Sequence, residues 1–105
     1  MTEVITNFKP DRTPRNEKHL KRVRAMPSCI SGSRPCEAHH LTGGPAASER
    51  GVSMRASDRW VVPLTHEEHM DLHTFGSRLE REWFANRGVD CYDLAEKLWA
   101  RRNSK

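Results

Sequence analysis

Two short histidine clusters limit what this chain can fold into more than any other feature. The first is Glu37-Ala38-His39-His40 and the second is His69-Met70-Asp71-Leu72-His73. A glycine-bearing stretch and the apolar run Trp60-Val61-Val62-Pro63-Leu64 separate them. His69 and His73 are four residues apart, so a helix puts both rings on one face. His39 and His40 are adjacent, so a strand sends them to opposite faces. Three imidazoles can then meet at one metal ion and leave a coordination position open, the pattern of a catalytic rather than a structural site. The fourth imidazole stays free as a general base, a combination suited to phosphodiester hydrolysis.

The rest of the chain supplies the supports. Residues 1–14, with Pro10 and Pro14 and no sustained period, read as a flexible basic arm. Residues 16–26 read as a helix with Leu20, Val23 and Met26 on one stripe, ended by Pro27. Residues 28–35 read as a turn or knuckle hinged at Gly32. Cys36 to Leu41 is a short strand candidate, Thr42 to Ser57 a long loop, and Trp60 to Leu64 a second strand. Pro63 confines that second strand to an end or an edge. Thr65 with Glu68 has capping-box spacing, and the helix it starts runs through His73. Leu79, Trp83 and Phe84 mark a further helix stopped by Gly88. Asp90 caps the last one, whose apolar face is Leu94, Ala95, Leu98 and Trp99. Trp83 and Trp99 sit on helical stripes and read as core.

The chain has 105 residues, room for one domain, expected over 15–105. Its formal net charge is +4. Residues 1–36 carry eight Lys or Arg against three acids, and residues 37–73 carry six acids against three Arg. A basic arm beside a less basic metal site suits a polyanion such as DNA. Lys21 and Arg24 on the first helix, and Arg55 and Arg59 near the site, are the phosphate-contact candidates. A solvated surface is the plain alternative for all four. No stretch is long and apolar enough to span a membrane, and no signal peptide is expected. Cys29, Cys36 and Cys91 form no C-x-x-C pair, which points to a reducing cytosol. His66 lies off the His69/His73 face and reads as exposed. His19 reads as partly buried, and Gly43-Gly44 as a plain turn.

Glu-x-His-His followed by His-x-x-x-His resembles the HNH (ββα-metal, His-Me finger) endonucleases, in the version found in colicin-type DNases. The wider context resembles small phage and prophage HNH proteins of the Ref recombination type. It lies in His19-Leu20-x-x-Val23-Arg24, Glu37-Ala38-His39-His40-Leu41, Arg55 to Leu64 and Leu94 to Trp99, and covers about residues 16–100. The resemblance implies an α+β fold: a ββα-metal core over about 36–75, an N-terminal helix and two C-terminal helices. It implies that His39, His69 and His73 bind one divalent ion (Zn, Mg, Mn or Ni). His40 would be the general base, and Glu37 would orient a nearby basic group. The expected activity is metal-dependent DNA cleavage with little sequence preference, with a recombination protein as a further partner.

Two departures from that pattern stand out. Relatives carry a C-x-x-C knuckle plus a Cys and a His at the helix start, which together bind a structural zinc. The corresponding positions here are Ser28, Ser31, Thr65 and Glu68, so a structural zinc is not expected. A rearranged site using Cys29 and Cys36 is the alternative. The central asparagine is replaced by Trp60, which leaves a backbone carbonyl or Asp58 to orient His40. The rival function is a non-catalytic, zinc-stabilised module that binds nucleic acid or protein.

Overall fold

The computed structural model describes residues 16–50 and 58–102, without the side chains of 48–50. The 1–14 arm, Arg55 and the Arg50 side chain lie outside the described residues. Helix α1 spans Glu17–Arg24. Its N-cap Asn16 accepts the His19 N–H at 3.0 Å, with Glu17 in the first turn and three basic residues in the last, so both ends complement the helix dipole. Strand β1 is Glu37–His40 and strand β2 is Val61–Leu64, each trimmed from its sequence expectation. They pair antiparallel, Glu37 opposite Leu64 and His40 opposite Val61. Pro63 faces Ala38, and its carbonyl accepts the Cys29 N–H at 3.2 Å, tying the knuckle to the edge of β2.

The expected long loop is not all loop. Gly44–Arg50 forms a helix, α2, whose Ala46 is buried in the main core. Pro45 at the first turn of a helix costs no hydrogen bond, which is why a Gly-Gly-Pro sequence can open one. Helix α3 runs His66–Phe75, a 3-10 turn covers Ser77–Leu79, α4 is Glu80–Ala85 and α5 is Cys91–Ala100. Leu79 is not a core residue. It falls in the 3-10 turn and is 45% exposed, because Glu80 takes the inward position instead.

The chain is thus mixed α+β, with its two-stranded sheet covered on both faces. On one face Val61 and Ala38 meet Leu20 and Val23 of α1. On the other, Val62 and Leu64 join Leu72, Trp83, Phe84, Tyr92 and Ala95 from α3, α4 and α5. Trp60 is buried in that second cluster, and its carbonyl accepts the Leu41 N–H at 2.8 Å. Trp83 is core, as its stripe predicts, and donates Nε1–H to Asp71 at 2.9 Å. Trp99 is only half-buried, against the His19 ring. Arg22 fastens α1 to the C-terminal carbonyls of α5, donating to Leu98 O at 3.0 Å and Arg101 O at 3.2 Å. No helix among the described residues is long and apolar enough to cross a membrane.

Candidate metal and general-base site

The strand alternation puts His39 on the α3 side of the sheet and His40 on the α1 side. His39 is buried at 3% exposure, with its ring 4.9 Å from that of His69 and 6.4 Å from that of His73. The rings of His69 and His73 are 4.9 Å apart, one turn apart on α3 as their spacing requires. The structure therefore brings His39, His69 and His73 together and sets His40 across the sheet.

The nitrogens matter more than the ring centres. His39 Nδ1 lies 3.1 Å from His69 Nε2. The other nitrogen of each ring rests on a carboxylate: His39 Nε2 on Glu80 Oε1 at 3.3 Å, and His69 Nδ1 on Glu37 Oε1 at 2.7 Å. An ionised carboxylate only accepts, so each ring must place its hydrogen there. With one hydrogen on each ring so placed, the two remaining nitrogens, 3.1 Å apart, would turn lone pairs toward each other. A shared proton or a cation resolves that conflict. Two imidazoles on one tetrahedral zinc have nitrogens roughly 3.3 Å apart, given Zn–N near 2.0–2.1 Å. A carboxylate behind each ligating histidine is the usual second layer of a metal site. The pair fits a divalent ion. Among the described residues no set of three His, Cys, Asp or Glu groups stands arranged around one point. The exposed His73 ring lies tilted at 44° to that of His69.

Glu80 carries no signal in the sequence motif, yet it is the most connected side chain of the site. It is 1% exposed. Its Oε2 accepts from Thr42 N at 2.9 Å, Gly43 N at 2.8 Å and the Tyr92 hydroxyl at 2.8 Å. Burial pushes the carboxyl up, but the bonds from His39, Gly43, Thr42 and Tyr92 outweigh it and hold Glu80 below its ordinary value. Burial holds His39 below its ordinary value as well, against the opposing pull of Glu80, so the ring is neutral near pH 7. The Gly43-Gly44 pair is accordingly more than a plain turn. A Cβ on Gly43 would stand 2.7 Å from the Tyr92 hydroxyl, so any other residue here would displace that donor from Glu80.

Glu37 contacts two basic groups. His69 and the exposed His66 share its carboxylate, and their hydrogen bonds draw its pKa down. For His40 the partner is Asp58: His40 Nε2 lies 2.8 Å from Asp58 Oδ1, and Asn16 N–H donates to Oδ2 at 2.8 Å. Of the two candidates for orienting His40, the structure places Asp58 on its ring. With the hydrogen on Nε2, the lone pair of the half-buried ring lies on Nδ1. Among the phosphate-contact candidates, Lys21 is exposed on α1, and Arg24 pairs with Glu17 at 3.2 Å. The Arg59 guanidinium lies 4.9 Å from the centre of the Trp60 ring.

The four positions aligned with a zinc knuckle do converge. Ser28 and Ser31 hydroxyls both donate to the Glu68 carboxylate, which also accepts the Thr65 N–H at 2.9 Å. Thr65 Oγ1 returns the bond by accepting the Glu68 N–H at 3.2 Å, completing the capping box. Burial pushes the Glu68 carboxyl up, but these donors outweigh it and leave it depressed. Burial drives Cys29 up to about 12, and Cys36 is raised by burial and by Glu68.

Fold and site together define a small α+β protein with a carboxylate-backed histidine cluster on its sheet-and-helix unit. The chain belongs to the family described as a protein of unknown function (DUF968), whose model matches residues 7–89. It is similar to the uncharacterized protein YdfU of Escherichia coli (strain K12), with 32% identity over 72 residues, covering 61% of this chain and 20% of the relative. The chain thus spans about a fifth of the length of that curated relative. No solved structure matches it.

Proposed function

We propose that the chain is a divalent-metal-dependent DNA endonuclease of the HNH (ββα-metal) type, of phage or prophage origin, with low sequence preference. The observation that supports this most is the 3.1 Å approach of His39 Nδ1 to His69 Nε2, with a carboxylate on the other nitrogen of each ring. His39, His69 and His73 would hold one Zn, Mg, Mn or Ni ion. An ion held there would supply stabilisation of negative charge on the phosphate and on the leaving oxygen. His40 Nδ1 takes the proton from the attacking water, and the new P–O bond forms as the bond to the sugar oxygen breaks. Asp58 keeps the His40 hydrogen on Nε2, the orienting role that a carboxylate plays behind any base histidine. Glu37 and Glu80 hold the ligand rings. The cations of α1 share the His40 face of the sheet and offer phosphate contacts.

A second reading draws on that same separation of His40 from the other three rings: a zinc-stabilised module that binds nucleic acid or protein without cleaving. Supercoiled-plasmid cleavage with Mg²⁺, Mn²⁺, Ni²⁺, Zn²⁺ or EDTA separates the two. Wild type should nick with metal and not with EDTA. His40→Ala should keep fold and metal and lose about 10²–10⁴-fold in rate, the usual share of a general base. Bound metal with no cleavage in wild type would favour the module, or a nuclease that needs a partner such as a recombination protein.

A further inference from the structure

We propose that Glu80 is a positioning residue that selects the His39 tautomer, keeping the hydrogen on Nε2 so that Nδ1 is free to ligate. This rests on the metal reading above. The carboxylate is not free to turn. Three donors, from Thr42, Gly43 and Tyr92, fix Oε2, and only Oε1 faces His39 Nε2. His39 sits on β1, Thr42 and Gly43 follow that strand, and Tyr92 comes from α5. One buried side chain thereby reads three parts of the fold and sets one hydrogen.

The same three donors make a single-atom change informative. In Glu80→Gln they hold the amide oxygen at the Oε2 position. The amide NH₂ then faces His39 Nε2, which must accept. The imidazole hydrogen moves to Nδ1 and points at His69 Nε2, closing the ligand position with little change of shape. Tyr92→Phe is the structural control, since it removes one donor but leaves the carboxylate facing His39.

The test uses the full chain, stripped of metal, at pH 8. Long-range ¹⁵N–¹H spectra report which His39 nitrogen carries hydrogen, and calorimetry reports affinity for Zn²⁺ and, in turn, for Mg²⁺, Mn²⁺ and Ni²⁺. Wild type and Tyr92→Phe should show the hydrogen on Nε2. Glu80→Gln should show it on Nδ1, with Zn²⁺ affinity down by about 10–100-fold, as for other outer-layer changes. A purely structural role would weaken both variants alike without moving the hydrogen, and would overturn the proposal. Hydrogen on Nδ1 in wild type would overturn it even if Glu80→Gln failed to fold. An Nε2 hydrogen in a wild type that binds none of the four metals would support the Glu80 assignment and sink the metal reading instead.

Discussion

His19 is a histidine that the fold keeps neutral. It is 1% exposed, edge-on to Trp99, and its Nε2 has no hydrogen-bond partner among the described residues. Burial lowers its pKa first, Arg22 and Arg102 lower it further, and Asp58 opposes them. Below about pH 6.5 the unfolded chain therefore binds a proton that the folded chain refuses. The stability is complete above that pH and is lost as pH falls toward the depressed folded value. Thermal midpoints between pH 7.5 and 5 should fall with acid, and in His19→Leu the dependence should be shallower by up to about 1.4 kcal/mol per pH unit. An unchanged slope would contradict a buried neutral His19. Gly43→Ala should push the Tyr92 hydroxyl off Glu80 and cost about 1–3 kcal/mol in urea unfolding. At this scale the histidines were legible because spacing on a helix and alternation on a strand are local rules. Glu80 was not. Its role comes from Thr42, Gly43 and Tyr92 converging from distant segments, and nothing near Glu80 in sequence marks it.

The start of α3 shows how much one element can rest on one carboxylate. Glu68 closes the capping box with Thr65 and takes both knuckle hydroxyls, so it sets the pose of the helix that carries His69 and His73. Thr65→Ala should cost about 1 kcal/mol, a typical N-cap loss. Glu68→Ala should cost more, about 2–3 kcal/mol, because it also strands the buried Ser28 hydroxyl, which now bonds a charged acceptor. Urea titrations measure both, and Zn²⁺ affinity should fall in parallel if the pose of α3 matters to ligation. Equal costs for the two variants would mean that the knuckle contacts contribute nothing. The capping box was readable from Thr65 and Glu68 alone. Helix α2 was not, since its Gly-Gly-Pro opening carries the marks of a turn, and packing of Ala46 into the core decides in favour of helix.

For the whole molecule, the proposed function predicts a salt signature and a chelator signature. Duplex binding through Lys and Arg contacts to phosphate should weaken along a straight line in log affinity against log salt, with a slope near −0.9 for each phosphate neutralised. A flat line would remove the backbone-contact model. EDTA should abolish cleavage and lower the thermal midpoint, yet leave the helical circular dichroism at 25 °C intact, because the sheet is covered by apolar side chains on both faces. Unfolding on chelation alone would point to the zinc-stabilised module.

The fastening of α1 to α5 has a consequence of its own. His19 lies against Trp99, Arg22 grips the last carbonyls of α5, and Arg102 covers the Trp99 ring at 3.9 Å. The first and last helices of the described residues therefore close on each other at one corner. A clasp of this kind makes the two helices fray together or not at all, so strain on either one is resisted before it reaches the histidine cluster.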